Sequence, residues 1–121
     1  MMKRSLPPIR RHLPWIPAML LAASATAATA AGAAADVSAG DALAKRHGCL
    51  GCHAITARLV GPSYLDVATK YAGQPEALQS LMKSIRQGGS GRWGDMAMPP
   101  QPQVSEADAK RLASWIAHLA K

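Results

Sequence analysis

The apolar positions of the second half of the chain recur at helical spacing. Leu78, Leu81, Met82 and Ile85 follow one another at i, i+3, i+4 and i+7, which places them on one face of a helix. Together with similar patterns elsewhere, this spacing predicts four helices and no strand. The helices are expected over residues 38–47, 63–71, 75–87 and 105–121. The pattern therefore predicts a single small all-α domain.

Polar and conformationally special residues mark the ends of these helices. Ser38 followed by Asp41, and Ser105 followed by Asp108, resemble capping boxes that begin the first and last helices. Pro75 suits the first turn of the third helix. Glycines that follow the first three segments predict where those helices stop: Gly48, Gly73 and Gly88.

Residues 88–104 break the helical pattern. This stretch holds four glycines and three prolines, so we expect an irregular loop. An irregular loop of that length in so small a domain is usually functional.

The N-terminal residues have a different composition and predict a secretory signal peptide over residues 1–35. Four basic residues and no acidic one lie there, and the apolar stretch 13–21 precedes a tract of small residues. Ala33-Ala34-Ala35 predicts cleavage before Asp36, which leaves a mature domain of residues 36–121. An uncleaved anchor is the alternative, but Pro14 and Pro17 interrupt an apolar stretch well short of the ~20 residues that span a membrane.

The net charge of +7 gives little reason to expect a nucleic-acid partner. Without the leader, ten basic residues face seven acidic ones, and they form no run longer than a pair. The mature domain also has no Phe, and two Trp and two Tyr supply its aromatic bulk. A domain this small buries little apolar surface, so an apolar cofactor at its centre would supply the missing core.

Cys49-Leu50-Gly51-Cys52-His53 carries the candidate chemistry. C-x-x-C-H is the attachment signature of c-type haem: two thiols about one turn apart reach the two vinyl groups, and the next residue, His53, projects toward the iron. A thiol redox pair would want a βαβ context, and a closed zinc site needs four ligands. A disulfide would close a very short loop. Haem bound through Cys49 and Cys52 is the favoured interpretation.

The second axial ligand has several candidates. Met82 lies on an apolar helix face, His47 is too near Cys49 to reach across the ring, and His118 is expected at the surface. The two remaining candidates, Met96 and Met98, lie in the irregular loop. Pro99-Pro100 would stiffen the backbone directly after Met98. Met98 is therefore favoured, with Met96 as the alternative. His53/Met98 ligation would close both axial positions and favour outer-sphere electron transfer.

The chain resembles the short class I bacterial cytochromes c, the cytochrome c-551 group, over essentially all of residues 36–121. The matching stretches are residues 47–55 (HGCLGCHAI), 59–64 (LVGPSY), 66–68 (DVA), 71–73 (YAG), 91–94 (GRWG), 98–100 (MPP), 104–107 (VSEA) and 112–116 (LASWI).

The resemblance implies roles for single residues. Cys49 and Cys52 would form the thioethers, with His53 and Met98 as axial ligands of the iron. The Pro62 carbonyl would accept the imidazole N–H, and the Trp93 indole would donate to a haem propionate.

The chain also departs from the pattern of the group. Ser84 stands where many relatives carry an Arg near a propionate, and Arg86 or Arg92 could replace it. Gln101 stands where an Asn commonly donates to the Met sulfur. Asp95 and Ala97 replace prolines, which predicts a less rigid loop.

The expected function is that of a monomeric periplasmic electron carrier, not an enzyme. The resemblance implies a membrane quinol-oxidising complex as donor and a nitrite reductase or terminal oxidase as acceptor, through small, weak interfaces. No stable membrane insertion is expected after cleavage. The main alternative is a dedicated haem subunit of a multi-subunit redox enzyme. An open-site sensor or peroxidatic enzyme and a thiol oxidoreductase are less favoured.

Overall fold

A computed structural model describes the backbone of residues 27–121, and the side chains from Val37 onward. The predicted signal peptide lies mostly outside these residues and stays a prediction. The described part contains four α-helices and one short 3₁₀ turn: α1 (Ala27–Arg46), the turn (Cys49–Gly51), α2 (Tyr64–Tyr71), α3 (Ala77–Gln87) and α4 (Glu106–His118). Its one extended pairing is an isolated bridge between Gly89 and Met98. The predicted all-α class is confirmed.

The predicted boundaries of three helices need correction. Helix α1 begins at Ala27, so Ser38 lies inside it and is not its N-cap. The alanine-rich residues before Ser38 have high helix propensity and carry the helix backward, and the predicted cleavage before Asp36 falls within it. Helix α3 begins after Glu76, which leaves Pro75 outside the first turn. Helix α4 ends at His118 instead of running to the end of the chain.

Two serine caps fix where α2 and α4 begin. The Asp66 amide donates to Ser63 Oγ at 3.0 Å, and the Asp108 amide donates to Ser105 Oγ at 3.1 Å. Each serine thereby satisfies one of the amides that a helix leaves unpaired in its first turn. The predicted start of α4 at Ser105 is confirmed.

Replacing Ser105 by Ala is expected to lower the free energy of unfolding by about 1 kcal/mol, because the Asp108 amide loses its acceptor. Guanidinium unfolding of the haem-loaded protein measures the loss. Ser105→Asn is the matched control, since Asn caps helices as well as Ser does and should keep stability near that of the wild type. Equal losses in the two variants would contradict a capping role.

Helix α4 forms the centre of the domain, because α1, α2 and α3 all pack against it. Gly40 permits a close approach of α1: a Cβ there would lie 2.1 Å from Trp115 Cγ. The apolar face of α4 is buried at Leu112, Trp115 and Ile116. Leu112 and Ile116 also reach a cavity between the helices and the loop of residues 88–104. The fold thus places its apolar core beside that cavity.

Candidate functional site

A cavity of about 280 Å³ brings together the chemistry-bearing residues of the chain. Cys49, Cys52 and His53 line it, as do residues 88–93 and 96–99 of the irregular loop. Apolar side chains of α2, α3 and α4 complete its walls: Tyr64, Val67, Leu81, Ile85, Leu112 and Ile116. An apolar cavity with a few convergent polar groups is typical of a cofactor site.

The two cysteines lie on a tight turn after α1. Gly48 adopts a φ of 72°, which ends α1 and starts the 3₁₀ turn. The amides of Cys52 and His53 both donate to the Cys49 carbonyl, at 3.2 and 3.1 Å, so the motif is wound as one helical turn. The thiols are not joined in a disulfide.

The local chemistry disfavours the alternatives to haem attachment. Burial raises the pKa of the Cys49 thiol above its ordinary value. Reactive redox cysteines instead have lowered pKa values, so a thiol oxidoreductase is disfavoured. Within the described part of the chain, no cluster of three or more His, Cys, Asp or Glu could complete a zinc site.

The His53 ring is held from two sides. Its Nδ1 lies 2.8 Å from the Pro62 carbonyl, which can only accept, so Nδ1 carries the proton and Nε2 keeps its lone pair for a metal. The Tyr64 ring stacks on the imidazole, with centroids 5.1 Å apart and planes 17° apart. Burial raises the pKa of the Tyr64 hydroxyl, which therefore stays protonated well into the alkaline range. This oriented imidazole is suited to ligate iron.

The segment before Pro62 must pass very close to this ring. A Cβ on Gly61 would lie 2.5 Å from His53 Cε1, and the Gly61 amide donates to the Cys52 carbonyl at 2.8 Å. The backbone that carries the Pro62 acceptor is therefore tied to the haem-attachment motif itself. The predicted contact between Pro62 and His53 is present in the structure.

Met98 lines the cavity, and hydrogen bonds between its backbone and that of Gly89 hold it in place. Its amide donates to the Gly89 carbonyl at 2.8 Å, and the Gly89 amide donates to the Met98 carbonyl at 3.0 Å. The Gln101 amide donates to the Arg86 carbonyl at 3.2 Å, which ties the segment after the Pro pair to the end of α3. The Gln101 side-chain amide donates to the Pro99 carbonyl, at 3.2 Å.

The other candidate axial ligands are less well placed. Met96 also lines the cavity but is 66% exposed. Met82 packs against the core instead of lining the cavity. His118 is exposed and bonds its own helix at the Ser114 carbonyl. His47 lines the cavity, and its Nε2 lies 3.2 Å from an Asp108 carboxylate oxygen.

Trp93 lies half-buried at the cavity, held by two cations that sequence reasoning missed. The Lys70 ammonium lies 4.3 Å from the centre of the Trp93 ring and donates to the Arg92 carbonyl at 2.8 Å. The Arg58 guanidinium donates to the Trp93 carbonyl. No periodicity or motif links Arg58, Lys70 and Trp93, because they meet only through the tertiary fold.

These residues fit a covalently bound haem. Two thiols one turn apart, an imidazole with its outer nitrogen fixed as a donor, and apolar walls are the groups that a c-type haem needs. A small all-α domain with this constellation is a c-type cytochrome domain.

The comparisons with known proteins agree. The family model described as Cytochrome c matches residues 37–120, and the chain belongs to that family. It is 54% identical over 74 residues to cytochrome c-552 of Hydrogenobacter thermophilus, covering 61% of this chain and 74% of that protein. It is 53% identical over 77 residues to cytochrome c-551 of Azotobacter vinelandii, covering 64% and 93%. The crystal structure of Nitrosomonas europaea cytochrome c552 superposes with a TM-score of 0.64 at 46% identity, covering 65% of this chain and 98% of that one.

The chain is thus a class I, c-551-like cytochrome that carries one haem c covalently at Cys49 and Cys52. It is an electron-transfer protein and not an enzyme. None of the helices in the described residues is long and apolar enough to cross a membrane.

Proposed function

We propose that this protein is a periplasmic carrier of single electrons whose haem iron is ligated by His53 and Met98. One observation carries the proposal. His53 and Met98 are 45 residues apart in the chain, yet both line the cavity beside the two attachment cysteines. The haem iron supplies the chemistry, the Fe(III)/Fe(II) couple. A thioether sulfur is a soft ligand that stabilises Fe(II), so this ligand pair gives a higher potential than two histidines would.

The protein's own contribution is to hold the ligands still and keep other molecules off the metal. The Pro62 carbonyl fixes the tautomer of His53, and the paired hydrogen bonds between Gly89 and Met98 fix the backbone that carries the thioether. His53 and Met98 would together hold the iron and leave no place on it for oxygen or a substrate. In the proposed role, Trp93 donates its indole N–H to a haem propionate.

Electrons would then pass at the exposed edge of the site. Val60 and Met96 both line the cavity, yet they are 52% and 66% exposed, so apolar surface continues from the cavity to solvent. A small apolar contact of this kind suits the brief docking of redox partners. We place a quinol-oxidising membrane complex as donor and a nitrite reductase or terminal oxidase as acceptor, with the carrier itself monomeric.

The location and the free-carrier role are tested together on protein from the native source. We expect haem-containing protein in the periplasmic fraction, eluting as a monomer, with an intact mass equal to residues 36–121 plus one haem. Pre-reduced carrier should pass its electron to a purified nitrite reductase or terminal oxidase in stopped-flow mixing. Recovery only as a stable complex would instead establish the dedicated-subunit alternative, and an uncleaved mass would contradict the signal peptide.

A further inference from the structure

The Arg92 guanidinium occupies a polar corner of the cavity between α2 and α3. Its Nη1 donates to Tyr71 Oη and to Ser84 Oγ, both at 3.1 Å. All three residues line the cavity. Arg92 is therefore anchored to the end of α2 and to Ser84 of α3, whereas the cysteines belong to the turn that follows α1.

Arg92 differs from the other two cations in this corner, Lys70 and Arg58, because it alone of the three lines the cavity. Lys70 and Arg58 direct hydrogen bonds to the backbone carbonyls of Arg92 and Trp93. Within the described residues both hydrogen bonds of Arg92 leave from Nη1, so Nε and Nη2 remain available. None of the ion pairs in the described residues involves Arg58, Lys70 or Arg92. Three positive charges therefore gather at this side of the cavity without a carboxylate partner from the protein.

The cofactor supplies the missing anions. A haem attached through its two vinyl groups has two propionate carboxylates on the edge away from the thioethers. A guanidinium with a free Nε and Nη2 presents two parallel N–H groups, the geometry that binds a carboxylate at both oxygens. We propose that Arg92 is a haem-positioning residue that ion-pairs with a propionate, while Ser84 and Tyr71 orient its guanidinium.

Arg86, the other arginine near this loop, is engaged elsewhere. Its Nε donates to the Val104 carbonyl at 3.2 Å, and it is not among the residues that line the cavity. The assignment of Arg92 rests on the bound haem c and does not depend on the axial ligands, the partners or the location in the cell.

Replacing Arg92 by Gln is expected to make the haem harder to reduce. A cation close to the ring favours Fe(II), which carries one positive charge fewer than Fe(III). At a fixed solution potential we expect the ratio of ferrous to ferric protein to fall about threefold in Arg92→Gln. Spectroelectrochemical titration of the haem-loaded protein measures this ratio, and in the ferrous wild-type protein the NMR signal of the Arg92 Nε–H should exchange slowly with solvent.

Matched variants distinguish an ion pair between Arg92 and a propionate from a role in which Arg92 only joins α2 to α3. Ser84→Ala and Tyr71→Phe each remove one contact that orients Arg92 but keep its charge, so each should lower the ratio of ferrous to ferric protein by less than Arg92→Gln does. Arg86 does not line the cavity, so Arg86→Gln should leave the ratio near that of the wild type. Because Arg92 Nη1 lies within hydrogen-bond distance of Ser84, an arginine at position 84 can reach the same corner, and the double variant Ser84→Arg/Arg92→Gln should recover the wild-type ratio.

An unchanged ratio in Arg92→Gln would overturn the proposal, and so would an equal shift in Arg86→Gln or in Ser84→Ala. These outcomes are distinct from a failure of the proposed carrier function. That failure would appear as a missing Met–iron absorption band or as no electron exchange with partners in the wild-type protein, and it would leave the shift in Arg92→Gln intact.

Discussion

Replacing Met98 by Ala is expected to lower the reduction potential of the haem by on the order of 0.2 V, within the ~0.8 V range that axial ligands control. The variant loses the soft sulfur that stabilises Fe(II), and it opens the sixth coordination position. The oxidised variant should lack the weak long-wavelength absorption band that Met ligation gives ferric haem. The reduced variant should bind carbon monoxide readily, whereas the wild type should not.

Met96→Ala is the matched control for this prediction. Met96 lies two residues away in the same loop and also lines the cavity, but two-thirds of its side chain is exposed. We expect the Met96 variant to keep the absorption band, the potential and the resistance to carbon monoxide. A Met98 variant that retained the band would contradict the assigned ligand. Loss of the band only in the Met96 variant would transfer the role to that residue.

The parts of the site that could be predicted from sequence depend on local geometry. The spacing of Cys49, Cys52 and His53 is set within one turn of backbone, and Ser105 caps α4 through an amide three residues away. The apolar face of α3 also follows from spacing alone. Such features need no knowledge of the rest of the fold, because the interacting groups are near neighbours in the chain.

The features that could not be predicted depend on contacts between distant segments. Whether Arg92 or Arg86 faces the cavity is decided by the partners that the tertiary fold gives them: Arg92 bonds Tyr71 and Ser84, whereas Arg86 bonds the Val104 carbonyl. The sequence pattern predicts too late a start for α1, because Ser38 and Asp41 resemble a cap. The helix-forming alanines before them outweigh that local signal.

The irregular loop of residues 88–104 has features of both kinds, some set by local sequence and others by contacts between distant segments. Its glycines and prolines predict a functional loop, but they do not say which glycine is indispensable. The structure distinguishes them by backbone angle and by the space around each Cα. Gly88 has a φ of 69°, and a Cβ there would lie 2.3 Å from the Met98 carbonyl oxygen and 2.8 Å from the Pro100 nitrogen. The position of Met98 therefore depends on the absence of a side chain at the end of α3.

Replacing Gly88 by Ala is expected to lower the free energy of unfolding of the haem-loaded protein by about 3 kcal/mol. About 2 kcal/mol comes from placing a Cβ at a φ of 69° and a ψ of −164°, a combination that almost only glycine adopts, and the remainder from a clash with backbone atoms that cannot rotate away. Because those atoms belong to residues 98–100, the ferric variant should also lose its Met–iron absorption band on warming well before the helices unfold. Circular dichroism and absorption recorded on one sample measure both transitions.

Substitutions at Gly73 and Gly89 separate the cost of backbone strain from the cost of the steric clash. Gly73 has a φ of 73° with nothing within 4 Å of its missing Cβ, so Gly73→Ala should cost only about 1–2 kcal/mol of backbone strain. Gly89 has open space and no positive φ, so Gly89→Ala should change stability by no more than about 0.5 kcal/mol. If Gly88→Ala cost no more than Gly73→Ala and its absorption band melted together with the helices, Gly88 would act only as a helix stop. Extra loss confined to Gly88 would instead show that the end of α3 holds the thioether at the iron, because only there does the added methyl group meet the backbone of Met98.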